Sequence, residues 1–68
     1  MTAQTPLERA QAERDRLHRR VMMEFGSLRE VDIYATAGRQ DAIELRREYR
    51  EALKALRAAK AASGGDRQ

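Results

Sequence analysis

The chain has no cysteine and no tryptophan, one proline and one histidine. Without thiols it has neither a disulfide framework nor a thiolate metal site. His18 alone supplies too few ligands for zinc. No apolar run approaches the roughly 20 residues that cross a bilayer, and no signal-peptide core follows Met1. The four glycines, at 26, 38, 64 and 65, do not form a phosphate-cradling spacing. Large apolar side chains are scarce too. Alanine accounts for 12 of the 28 apolar residues, and Leu, Ile, Val and Phe together number 11 of 68. That falls below the roughly 20% at which disorder becomes a serious expectation. A net charge of only +3 removes the other half of that signature. A chain of this size holds one small domain, burying about 60% of its unfolded surface, and leans on a metal, a disulfide or a partner. The expectation is a soluble binding or assembly module, not an enzyme, with no cofactor.

The first segment reads as a helix. Thr5-Pro6-Leu7-Glu8 places a capping residue, a proline at the first helical position and a glutamate three after the cap. Leu7, Ala10, Leu17 and Val21 form a thin stripe interrupted by Arg14, too thin for a helix stable on its own.

From Arg20 the pattern changes to period two. Val21, Met23 and Phe25 alternate with Met22 and Glu24; Val31, Ile33 and Ala35 alternate with Asp32, Tyr34 and Thr36. Gly26-Ser27-Leu28-Arg29-Glu30 lies between them as a hairpin connection, with Gly26 suited to a positive φ. Pairing Phe25 with Val31, Met23 with Ile33 and Val21 with Ala35 puts all six on one face. A continuous helix is the alternative, since Leu17, Val21, Leu28, Val31 and Ala35 also fall near a 3.5 period. It has to carry Gly26 in mid-helix, at about 1 kcal/mol relative to Ala. The hairpin is the favoured reading.

The last element is the clearest. Gly38 breaks the chain and Asp41 stands in a first helical turn, where the dipole favours an anion. Ala42, Leu45, Tyr49, Ala52, Leu53, Leu56 and Ala59 make one apolar face with Ile43 at its margin, and the helix is expected to fade near Ala62. The fold expected is therefore α+β: helix, two-stranded antiparallel hairpin, helix, with both helices packed on the hairpin. Residues 1–62 make the single domain and 63–68 a flexible polar tail.

Charge is segregated: +2 over residues 1–20, −2 over 21–38 and +3 over 39–62. Arginine outnumbers lysine 12 to 2, which suits bidentate contacts to carboxylates or phosphates. Candidate protein or DNA contacts are Arg19, Arg20, Arg46, Arg50 and Arg57. Met22 and Tyr34, which point off the core face in the hairpin, are candidate apolar contacts. Three readings compete: an assembly protein packing head to tail, a small nucleic-acid-binding or regulatory protein using Arg46, Arg50 and Arg57 on phosphates, and a purely helical adaptor. His18 reads as a solvated residue near a helix end.

The run Arg29-x-Val31-Asp32-Ile33-Tyr34-Ala35-Thr36-Ala37, the opening Met-Thr-x-Gln, the Ala-rich first helix, Arg20-Val21, and Asp41 with Leu45 together resemble the small head-completion (head–tail joining) protein W family of lambda-like tailed phages. The run 29–37 matches that family's second strand and exit. The turn at Gly26-Ser27-Leu28 departs from the family's Asp-Gly signal, one extra residue precedes Asp41, and the tail is polar. The resemblance implies a structural connector of the virion, found in the host cytoplasm during assembly. It would be monomeric alone and form a homo-oligomeric ring under the portal protein in the particle. It would help retain packaged DNA, with non-specific DNA contact, and present a docking site to a neck or tail-completion protein. It implies no membrane contact.

Overall fold

The computed structural model describes residues 4–62, and everything between Pro6 and Ala62 that is regular is helix. Helix α1 spans Pro6–Glu24, α2 Leu28–Thr36 and α3 Gln40–Ala62. No strand occurs among the described residues, so the α+β hairpin expected over residues 21–36 is wrong. The tail expected at 63–68 lies outside the described residues.

The start of α1 follows the capping reading. Thr5 accepts from the Glu8 N–H at 3.1 Å, and the Glu8 carboxylate accepts from the Thr5 N–H at 3.0 Å. This reciprocal box satisfies two donors that a helix start leaves without partners.

The segment read as a hairpin is instead a helix end followed by a helix start. Gly26 does adopt the positive φ assigned to it, +93°, but as the residue that terminates α1. Its N–H donates to the carbonyls of Val21 at 3.0 Å and Met22 at 3.1 Å, closing the last turn. Ser27 then caps α2, accepting from the Glu30 N–H at 3.2 Å. Gly38, at φ +95°, ends α2 in the same manner: its N–H reaches the Ala35 carbonyl and the Arg39 N–H that of Tyr34, both at 3.0 Å. Those two bonds together make a Schellman closure.

Helix α3 is the central element; it packs against both α1 and α2, which touch each other little. The molecule is 16 Å through its thinnest dimension, little more than one helix with its side chains. Leu17 and Val21 from α1, Val31 and Ala35 from α2, and Ala42, Leu45 and Ala52 from α3 form one buried cluster, flanked by Phe25, Ile43 and Tyr49. These positions recur at helical spacing: 17, 21 and 25; 31 and 35; 42, 45, 49 and 52. The three alanines let the backbones approach, and Leu17, Leu45, Val21 and Val31 fill the space between them. Each of those four contributes about 1.5–3 kcal/mol by burial before entropy is set against it.

The side chains that distinguish the two folds are Met23 and Ile33. A hairpin needs both inside, yet Met23 is 81% exposed and Ile33 51% exposed. A helix turns each about 100° away from the buried stripe per residue, and packing on α3 outweighs the β-branched local preference. The continuous-helix alternative has the right period but not the right continuity. Gly26 breaks it, and Leu28 stays 42% exposed.

This difference is measurable. Val31→Ser should cost about 2–4 kcal/mol through lost burial and a buried hydroxyl. Ile33→Ser, on the outer face of α2, should cost no more than about 0.5 kcal/mol. Equal losses for the two in thermal unfolding would bring the hairpin back.

Candidate docking cleft

The ends of the elements determine what is left open. Helix α2 has nine residues, about 14 Å of length, against about 35 Å for the 23 residues of α3. The order of contacts along α1 runs opposite to α3. The Phe25 ring lies under Arg39, Arg20 approaches Glu48, His18 meets Tyr49, and Pro6 and Ala10 share a groove with Ala55 and Ala59. The pair is therefore antiparallel, with α2 laid beside the first half of α3.

Where α2 begins, the three helices leave an open cleft of about 460 Å³. Leu28, Tyr49 and Leu53 line it over the buried Val21 and Val31, and Arg29, Arg46 and Arg50 stand around it with Asp32. Leu28 and Leu53 are 42% and 36% exposed, large apolar groups left wet beside a fully buried valine. Arg46 donates to Asp32 at 2.8 Å, tying α3 to α2 across the rim. Arg29 and Arg50 have no ion-pair partner among the described residues. A larger opening, of about 610 Å³, lies between α1 and α3, lined by Glu13, Arg16, Arg47, Glu48 and Glu51 over Ala52 and Ala55. Its charges alternate in sign and its only apolar groups are methyls, so it offers little to a specific ligand.

The residues singled out from sequence separate into three places. Arg46 and Arg50 come together at the cleft, and Arg57 continues their stripe on α3 through Leu53, at i, i+4, i+7 and i+11. Arg20 binds Glu24 at 3.0 Å and approaches Glu48 at 3.8 Å, while Arg19 is exposed on α1. Met22 is 47% exposed at the end of α1. Tyr34 is 38% exposed, but its ring is engaged: it lies 5.7 Å from the Phe25 ring, and the Arg39 guanidinium sits 5.3 Å from its centroid and 5.4 Å from that of Phe25. One cation over two rings clamps the turn after α1 to the start of α3, about 0.5–1 kcal/mol per exposed pairing. Sequence reasoning missed Arg39, and it missed Leu28 and Arg29 by assigning them to a turn. The signal for them was Ser27-x-x-Glu30, a helix-start pattern that makes Leu28 and Arg29 the first residues of α2.

Six of the described carboxylates pair with arginines. Arg16 holds Glu13 at 2.7 Å, Arg14 holds Asp15 at 2.9 Å and Arg39 holds Asp41 at 2.9 Å. The Arg16 hydrogen bond keeps the Glu13 carboxyl below its ordinary range, and the Arg39 bond, aided by the Ala42 N–H, does the same for Asp41. A general acid needs the opposite displacement. His18 is exposed, with its Nδ1 3.5 Å from the Tyr49 hydroxyl. Among the described residues no three His, Asp or Glu side chains are grouped to hold a metal ion. No described helix is long and apolar enough to cross a membrane. The arrangement offers an apolar cleft with an arginine rim.

No protein-family model matches the chain, and neither a curated protein nor a solved structure is significantly similar to it.

Depressed carboxyls set the direction of the pH response. The folded form of Asp41 and Glu13 binds its proton less readily than the unfolded form, so their stabilisation is complete above the ordinary carboxylate range and fades as pH falls through and below about 4. Melting temperature followed by circular dichroism should therefore drop on acidification, and less so in Asp41→Asn. A melting temperature that rises as pH falls below 4 would contradict the assignment.

Proposed function

We propose that this protein is a non-catalytic assembly module that docks a partner protein in the cleft between its three helices. The observation that carries the reading is the cleft itself, where Leu28 and Leu53 stand exposed beside Val21 and below Arg29 and Arg50. Apolar groups beside unpaired guanidiniums suit a protein surface, since a partner can cover the first and neutralise the second.

Head–tail joining in a tailed phage is the specific form of this reading. There the partner is a portal ring, neighbouring copies complete a ring beneath it, and a neck protein docks afterwards. The segregated charge supports it, a basic α3 and an acidic middle segment being able to meet in adjacent copies. The run 29–37 no longer contributes a strand to that resemblance, because it is helix α2 and its turns. The general assembly reading is accordingly the one that the cleft supports best.

Nucleic-acid binding competes for the same arginines. It is disfavoured by the apolar floor, which offers phosphate nothing, and by Glu48 and Glu51 interleaved with Arg47, Arg50 and Lys54 along α3. Two observations test the reading. The gene is expected among terminase and portal genes; a location outside any phage cluster would remove the head–tail form and leave the assembly form intact. Fluorescence anisotropy with duplex DNA should show no saturable binding at physiological salt. Tight binding with a log–log salt slope near −3, about what three phosphate contacts give, and lost in Arg50→Glu, would overturn the assembly reading.

A further inference from the structure

We propose that the occupant of the cleft is an acidic amphipathic helix of the partner protein, laid along α3 as a continuation of α2. The inference rests on the assembly reading and specifies the segment recognised.

Length supports a helix. Between them α2 and α3 differ by about 21 Å, so the row that α2 begins beside α3 has room for about 14 more helical residues. The last turns of α3, around Ala55 and Ala59, are accompanied by the first turns of α1. Leu28 and Leu53 stand at the mouth of the cleft, where the row stops. An incoming helix with apolar residues at i, i+3 and i+4 would cover them, as α2 covers Leu45 and Ala42 with Val31 and Ala35.

Charge supports an acidic one. Arg46 already has Asp32 at 2.8 Å, whereas Arg29 and Arg50 have no carboxylate partner among the described residues, and Arg57 follows one turn beyond Leu53 on the same stripe. The Asp32–Arg46 pair shows, within the chain, the contact that the occupant would repeat: a helix carboxylate meeting an α3 arginine across an apolar seam. A second copy is a poorer occupant. Its acidic helix, α2, is nine residues long against the roughly 14 that the row accommodates, and its Val31 and Ala35 are already buried in its own core.

The test uses the full chain and a labelled synthetic helix of about 14 residues, leucine on one face and glutamate on the other, with a leucine–lysine counterpart. Anisotropy should show saturable binding of the acidic peptide alone, weakened about tenfold or more by Arg50→Glu and by Leu53→Asp. Both side chains are exposed, and circular dichroism verifies that the variants remain helical; Arg29→Glu serves as the replacement if either unfolds. Equal affinity for the two peptides, no binding of either, or binding indifferent to the substitutions overturns the proposal. Dimerisation that depends on Leu53 and excludes the peptide also overturns it, by giving the cleft to a second copy. A chain that assembles with its partner but ignores the acidic peptide disproves this inference alone. Displacement of the peptide by duplex DNA at physiological salt disproves the assembly reading with it.

Discussion

Burial of one face of α3 against two different helices is the interaction on which the rest of this structure depends. Leu45 and Ala42 meet Val31 and Ala35 of α2 on one flank, while Leu17 and Val21 of α1 complete the same cluster. Neither α1 nor α2 has another surface to lie on, since they scarcely touch each other. The stripe of α1 is thin and α2 is nine residues long, below the length at which an isolated helix holds in water. Both exist as helices because α3 presents an apolar face wide enough for two neighbours. The scarcity of large side chains is met by alanine at three of the contact positions, which reduces the volume that leucine and valine must fill.

Most of α1 and α3 was legible in the sequence, and the reasons are local. Thr5, Pro6 and Glu8 specify a helix start through bonds made within four residues, and the face of α3 repeats over many turns. The middle was not legible. Over a stretch as short as Val31–Ala35, period two and period 3.6 share both end residues and differ only in Ile33. Nothing in the order of residues says whether Ile33 faces a core; the partner surface decides, and that surface is α3, several residues further on. Gly26 misled for a related reason. A positive φ serves a hairpin turn and a helix terminus equally, so the glycine marked a reversal without naming its type. Ser27 with Glu30 carried the missing information.

The same gap between local and distant information explains the candidate site. Arg46, Arg50 and Arg57 share a stripe visible from helical spacing alone. That Leu28 and Arg29 join them depends on α2 being a helix that starts beside Leu53. Reading 21–36 as a hairpin dispersed these residues over a turn and hid the cleft. Met22 and Tyr34 are exposed in the helical fold for a different reason from the one a hairpin would give. They lie off the helical stripe, and Tyr34 is held by Arg39 and Phe25.

Cleft and core are not separate regions of this molecule. Val21 and Val31 belong to both: each is buried in the central cluster and each lines the opening. A ligand that covers Leu28 and Leu53 would therefore rest on the outer edge of the buried cluster, in a cleft that exists only in the folded arrangement of the helices. By mass action a ligand at 100 times its dissociation constant adds about 2.7 kcal/mol to the folded state. That is comparable with the roughly 3–5 kcal/mol that one small core supplies to a chain of this length. Binding at the proposed cleft would thus be coupled to folding, because the cleft forms only when the three helices pack. A deficit of large apolar residues, a liability for the isolated chain, would on the proposed reading be offset by the occupant of the cleft.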